Sequence, residues 1–233
     1  MNAELEKYLL ENDKQIDITY PEQFDPKWVV MESGWPCFKL SALDNQPWKE
    51  MHKEAEALAD KFHLHRETTY GKGWKSLTLH GLNEDTQTLN SYGDRQESIK
   101  QLDWTWVADE CPVTKKFLTD VWPAEFLNRV RFMLLEPGGY ILPHQDRSDE
   151  EKRLSVCNIS LNNPKGCRFV FKDHGRVPFD DNGSAYLMDI SNVHAVYNNS
   201  DKPRIHMIIH YELGRRIRDF FYVLRASYYT NRG

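Results

Sequence analysis

The chain has no C-x-x-C pair. Its four cysteines, Cys37, Cys111, Cys157 and Cys167, stand apart from one another, which argues against a zinc knuckle or a thioredoxin-type dithiol. No run approaches the ~18 apolar residues of a membrane span. The opening stretch, MNAELEKYLLENDK, carries acidic residues and lacks an apolar core, so it does not read as a secretory signal. Neither sign of charge dominates. The net charge is −5 with acids and bases interspersed, which leaves no footprint for nucleic acid and no basic patch for a membrane. There is no internal repeat and no low-complexity segment. These absences together give the expectation of a cytoplasmic protein with free thiols, and the charge balance carries no information about small-molecule substrates. They say nothing about oligomeric state.

What is present is a chain of 233 residues, long enough to bury a core without disulfides. It is expected to form a single domain over 1–233, with a helical and mixed flanking region over 1–127 and a β core over 128–225. Leu5, Tyr8 and Leu9 fall at helical spacing within residues 1–12. Phe38-Lys39-Leu40 reads as a short strand. A helix is expected from Pro47 to about Phe62, with Asp44 or Asn45 as its cap. Residues 74–80 alternate between glycines and read as a strand. Residues 83–100 are polar and read as a long loop, of the kind that can serve as a lid. A further helix opens at Pro112 and turns Phe117, Leu118, Val121 and Trp122 to one face. Seven Trp and eleven Tyr, many outside the second half, suit burial in the flanking region.

From Val130 the pattern changes. Strand-like runs recur at 130–135, 140–143, 154–161, 167–172, 185–190, 193–197 and 204–211, with a further one at 217–224. Turn residues separate them, among them Pro137-Gly138-Gly139 and Asn198-Asn199-Ser200-Asp201. Many short strands with such turns indicate a sandwich or barrel. The helices precede the strands rather than alternate with them, so the fold class is mainly β with flanking helices.

The chemistry gathers between Arg131 and Tyr211. In an extended segment, His144 and Asp146 point to one side and can reach one ion. His194 is the best third ligand. Two histidines and one carboxylate with open positions make the facial triad of non-haem Fe(II) oxygenases, and ligation requires neutral imidazoles. Arg204 follows His194 by ten residues. A hairpin through Asn198–Asp201 would bring the two together. Arg204 lies inside an otherwise apolar strand and needs a partner, because burying it alone is costly; a carboxylate held by two parallel N–H···O bonds would serve. Arg153 opens the strand from Leu154 and can pair with a carboxylate or with the acids before it. Arg131 leads into the motif and can face the same cavity as Met133, as a substrate contact. His206 shares a face with Arg204 and is a candidate substrate contact too. His63 and His65 read as surface residues at a helix end.

The run Pro137-Gly138, His144-Gln145-Asp146, Arg153, Asn192-Val193-His194-Ala195-Val196-Tyr197-Asn198-Asn199-Ser200 and Pro203-Arg204-Ile205-His206 resembles the aspartyl/asparaginyl β-hydroxylase family of Fe(II)- and 2-oxoglutarate-dependent oxygenases. The likeness covers about residues 128–211. It implies a double-stranded β-helix (jelly-roll, cupin-like) core. It implies Fe(2+) held by His144, Asp146 and His194, with 2-oxoglutarate and O2 as cosubstrates. Arg204 would hold the distal carboxylate of 2-oxoglutarate and Arg153 would assist. Asp146 departs from the animal members, which lack a carboxylate there, and resembles bacterial relatives that hydroxylate free amino acids. Ser155 stands where the family often has His, two residues after the Arg, and its hydroxyl can still donate to the cosubstrate. The implied reaction hydroxylates an unactivated C–H of an amino acid or an amino-acid residue and yields succinate and CO2. The competing readings are a cupin-type metal enzyme that does not use 2-oxoglutarate, and a non-catalytic jelly-roll binding or sensor module.

Overall fold

The computed structural model describes residues 2–66, 71–85, 101–146 and 154–233. The helices are α1 (Ala3–Asn12), α2 (Trp48–Ala57), α3 (Trp106–Asp109), α4 (Pro112–Lys116) and α5 (Ile217–Arg232). The strands are β1 (Cys37–Lys39), β2 (His63–Leu64), β3 (Gly71–Gly81), β4 (Asp103–Trp104), β5 (Phe126–His144), β6 (Val156–Asn162), β7 (Cys167–Phe171), β8 (Gly175–Arg176), β9 (Ser184–Met188), β10 (His194–Asn198) and β11 (Arg204–Glu212).

The strands run β1-β9-β6-β11-β5-β10-β7-β8, with β3 also paired to β5, and the pairings among them are antiparallel. The two ends of this order face each other. Phe169 and Phe171 of β7 share one buried cluster with Tyr186 and Met188 of β9 and with Leu135 and Ile141 of β5. The sheet therefore folds over into two packed layers, the jelly roll expected from the sequence.

Strand alternation decides what lies inside. Ile205, Met207 and Ile209 of β11 join Cys157, Ile159 and Leu161 of β6 in a cluster beneath the helices. Trp48, Met51 and Ala55 of α2 and Phe220, Leu224 and Tyr228 of α5 cover that outer face. The alternate residues of β11, Arg204, His206, Ile208 and His210, turn into the space between the layers. On the outside of the other layer, Leu5, Tyr8 and Leu9 of α1 pack on Val170 and Ala195. A fully buried Leu there contributes roughly 1.5–3 kcal/mol.

Four local expectations are corrected. Residues 217–224 form helix, not strand: Phe220, Leu224, Ser227 and Tyr228 are its buried positions, at helical spacing. The helix after Pro47 ends at Ala57, and Pro47 itself takes the cap position instead of Asp44 or Asn45. The runs 130–135 and 140–143 are one bent strand, with Gly138 at φ +71°. Finally, β10 and β11 do not form a hairpin. Each pairs with a different stretch of β5, β11 along Phe126–Leu135 and β10 along Tyr140–His144. The expected lid lies largely outside the described residues, as does Arg153. No described helix is long and apolar enough to cross a membrane.

Candidate metal centre and its cavity

His144 ends β5 and pairs in register with His194, the first residue of β10. Their rings lie 4.4 Å apart. Asp146 follows, and its backbone N–H donates to Ile190 O at 3.2 Å. Its carboxylate reaches Nε2 of His144 at 3.4 Å and Nε2 of His194 at 3.8 Å. Ligand atoms of all three residues fall within 4.8 Å of one another. Asp146 is 40% exposed at the rim, whereas His194 is 4% exposed.

The tautomers suit a metal. Nδ1 of His144 faces Leu142 O at 2.8 Å and Nδ1 of His194 faces Asn192 O at 2.9 Å. A ring that donates from Nδ1 to a carbonyl keeps its Nε2 lone pair for a ligand. Burial, reinforced by the neighbouring His144, pushes His194 down to about 4, so it is neutral at ordinary pH. Burial acts against protonation of His144 too, but the Asp146 carboxylate outweighs it and its pKa is raised. For Asp146, burial is opposed and outweighed by the two imidazoles, which hold its carboxyl well below the usual range. The donor set is two imidazoles and one carboxylate, the set expected for non-haem iron.

Between the two layers lies Arg204, 4% exposed. Its guanidinium contacts Nδ1 of His206 at 2.9 Å and lies over the ring of Phe179 at 5.9 Å. Among the described residues it has no carboxylate partner. Burial pushes its pKa down to about 10, so it remains charged. Phe179 leads back to the triad, because it lies 6.3 Å from Phe169, whose ring stacks on His194 at 5.1 Å. Asn158, on the inward face of β6, lies 2.7 Å from Nδ1 of His206.

Arg131 is buried on the inward face of β5. Ser155 precedes Val156, which pairs with His210; that is the end of β11 away from Arg204. His65 is not a surface residue. It is 3% exposed, bonded to Ser76 Oγ at 3.0 Å, and edge-on to Trp74 at 4.3 Å. Trp74 in turn lies 6.4 Å from His144. Asn158 and Arg129 carry no local signal in the sequence, because only the strand register brings them to the space between the layers. The inward parity of Arg204 and His206, extended along β11 to its register partners on β5 and β6, is the signal that would have found them.

A model of the aspartyl/asparaginyl β-hydroxylase family matches residues 45–212. The chain belongs to this family. It is accordingly a hydroxylase, and the His144–Asp146–His194 cluster is its candidate iron site. No curated protein matches it in sequence. Among solved structures, the hydroxylase is similar to a Pseudomonas putida prolyl-4-hydroxylase, at 14% identity over 74% of this chain and 96% of that one, with TM-score 0.41. It is also similar to a viral collagen prolyl hydroxylase from Paramecium Bursaria Chlorella virus-1, at 13% identity over 76% and 95%, with TM-score 0.41. A third likeness is to an oxidoreductase of the 2OG-Fe(II) oxygenase family from Burkholderia pseudomallei, at 11% identity over 86% and 95%, with TM-score 0.40.

Proposed function

We propose that the hydroxylase is an Fe(II)- and 2-oxoglutarate-dependent dioxygenase that places a hydroxyl on an unactivated C–H of an amino acid or amino-acid residue. The observation that carries this reading is Arg204. It is a charged guanidinium, closed off from solvent, without a carboxylate partner among the described residues, and linked by Phe179 and Phe169 to the triad. Such a group is costly to bury alone, and a carboxylate ligand relieves that cost. A cupin-type metal enzyme without 2-oxoglutarate, or a binding module, has no use for this arrangement beside a complete triad.

His144, Asp146 and His194 would hold the metal, and Arg204 the distal carboxylate of the cosubstrate, with His206 against the guanidinium and Asn158 against His206. When bound, iron and 2-oxoglutarate supply the chemistry: O2 is consumed, the cosubstrate becomes succinate and CO2, and the substrate C–H becomes C–OH. The protein positions and shields. The carbonyls of Leu142 and Asn192 set the two imidazole orientations. Phe169 and Phe179 keep water from the floor between metal and Arg204. The test is succinate release from 2-oxoglutarate by the purified protein. Dependence on both Fe(II) and O2, with loss in His144→Ala, is expected; turnover that survives His144→Ala or removal of iron would remove this reading.

A further inference from the structure

Asp189 lies just past the end of β9, in the turn that leads to the ligand His194. It is buried, at 1% exposure, and a carboxylate buried there is costly unless it is bonded. Its Oδ1 accepts the backbone N–H of Ser191 at 3.1 Å and the Ser191 hydroxyl. Its backbone O accepts the Asn192 N–H and the Asn192 side-chain amide, both at 3.2 Å. These bonds wind Asp189–Asn192 into a closed turn, as Asp side chains do when they bond the backbone two residues on. Oδ2 has no partner among the described residues, so Oδ1 carries the side chain's share.

The turn is tied at both ends. Asp189 N–H donates to Pro36 O at 2.9 Å. Val193 O accepts Lys172 N–H at 2.8 Å and the Tyr8 hydroxyl at 3.1 Å. Ile190 packs against the cluster that contains Phe171 and Met188. The turn therefore cannot shift without breaking contacts to β7, α1 and the segment before β1.

Two carbonyls of this turn each take a metal ligand. Ile190 O accepts Asp146 N–H at 3.2 Å, and Asn192 O faces Nδ1 of His194 at 2.9 Å. The two ligands depend on the turn unequally. His194 is also held in the sheet, opposite His144 and Phe171. Asp146 lies beyond the end of β5, and among the described residues Ile190 O is where its backbone is tied.

We propose that Asp189 is a positioning residue for the metal centre. By closing the turn it fixes the Ile190 and Asn192 carbonyls, and so sets the Asp146 carboxylate and Nε2 of His194 at the spacing that one ion requires. The inference rests on the metal reading of the triad and not on 2-oxoglutarate. Groups that orient ligands from behind typically carry about 10- to 100-fold in metal affinity.

The experiment titrates the full-length, metal-free protein with Co(II) alone, followed by calorimetry and visible absorption, with the metal-free Tm measured beside them. Asp189→Ala should weaken Co(II) binding by about 10- to 100-fold. Its absorption should move towards that of Asp146→Ala, because the carboxylate ligand has lost its place. Asp189→Asn keeps an oxygen acceptor for Ser191 and should recover most of the affinity. Ser191→Ala removes one donor and should fall between. In an Asp146→Ala background, Asp189→Ala should cost less than in the parent, since part of what it positions is already gone. A purely structural Asp189 would lower Tm and leave the affinity and spectrum of the folded protein unchanged. That result overturns the proposal, as does an equal loss in both backgrounds. If Asp189→Ala does not fold, Ser191→Ala decides: weakened Co(II) binding supports the proposal and parental binding overturns it. A parent that binds no Co(II) removes the metal reading itself, whereas a parent that binds beside unaffected variants removes Asp189 alone.

Discussion

The guanidinium of Arg204 lies 2.9 Å from Nδ1 of His206, and both side chains are shut away from solvent. Burial, reinforced by that guanidinium, pushes His206 well below its usual pKa. The imidazole is therefore neutral. It orients Arg204 without cancelling its charge, and a buried charge of this kind awaits an anion.

Arg204→Leu should raise the 2-oxoglutarate concentration needed for half-maximal succinate release by about 30-fold or more. Metal affinity should be little changed, since Arg204 lies behind Phe179 and not among the ligand atoms. Steady-state kinetics and metal titration check the two halves of this statement. An unchanged cosubstrate requirement removes Arg204 from its role.

The same substitution separates stability from function. Replacing a buried, unpaired charge with an apolar side chain is often neutral or stabilising. Arg204→Leu should therefore unfold at the same temperature as the parent or higher when no ligand is present. The parent's rise in Tm on adding 2-oxoglutarate with a redox-inert divalent metal should vanish in the variant. A large drop in Tm without ligand would mean that Arg204 is structurally paired.

His65 makes stability depend on pH. Its burial, together with Arg131, Arg66 and Arg129, lowers its pKa in the folded state to about 2, against about 6.5 in the unfolded chain. Above pH ~6.5 neither state holds the proton and the group contributes no slope. Below that, the unfolded chain takes up a proton that the folded chain refuses. Stability is then lost by up to about 1.4 kcal/mol per pH unit as pH falls towards the folded pKa. His206 acts in the same direction. Urea unfolding of His65→Gln between pH 7 and 5 should show a slope shallower by about one proton; an equal slope contradicts the burial of His65.

Asn198 is the tie that replaces the expected hairpin. Its Nδ2 donates to Leu135 O, Glu136 O and Lys202 O at 2.8–3.1 Å, while its Oδ1 accepts from the backbone N–H and Oγ of Ser200. The turn is thereby fastened to the bend of β5 and not to β11. Asn198→Asp sets a carboxylate oxygen against three carbonyls and should cost about 3 kcal/mol or more. Asn198→Ala should cost less. Chemical denaturation ranks them, and the reverse order would contradict this bonding.

Much of this was legible in the residues, and the limits have a physical cause. Periodicity of two along Arg204–Ile209 places Arg204 and His206 on one face because alternation is local geometry. The spacing of His144 and Asp146 is local too. The partner of His144 is not: the His144–His194 register arises from the pairing of β5 with β10, which are distant in the chain. Asn198-Asn199-Ser200-Asp201 has turn chemistry and suggested a hairpin, yet the Asn198 amide bonds elsewhere. Pro137-Gly138-Gly139 suggested a break, whereas β3 pairs across it, with Trp74 opposite Leu135 and Gly71 opposite Ile141. His65 gave no periodic signal, because its burial comes from Trp74 and Ser76 on a neighbouring strand.

A single bound 2-oxoglutarate would serve both one metal at His144, Asp146 and His194 and one carboxylate site at Arg204. The most direct measurement is visible absorption on anaerobic addition of Fe(II) and 2-oxoglutarate. A weak charge-transfer band should appear, saturate at one iron per chain, disappear in His194→Ala, and need far more 2-oxoglutarate in Arg204→Leu. No band in the parent protein, or a band of equal strength in His194→Ala, would contradict it.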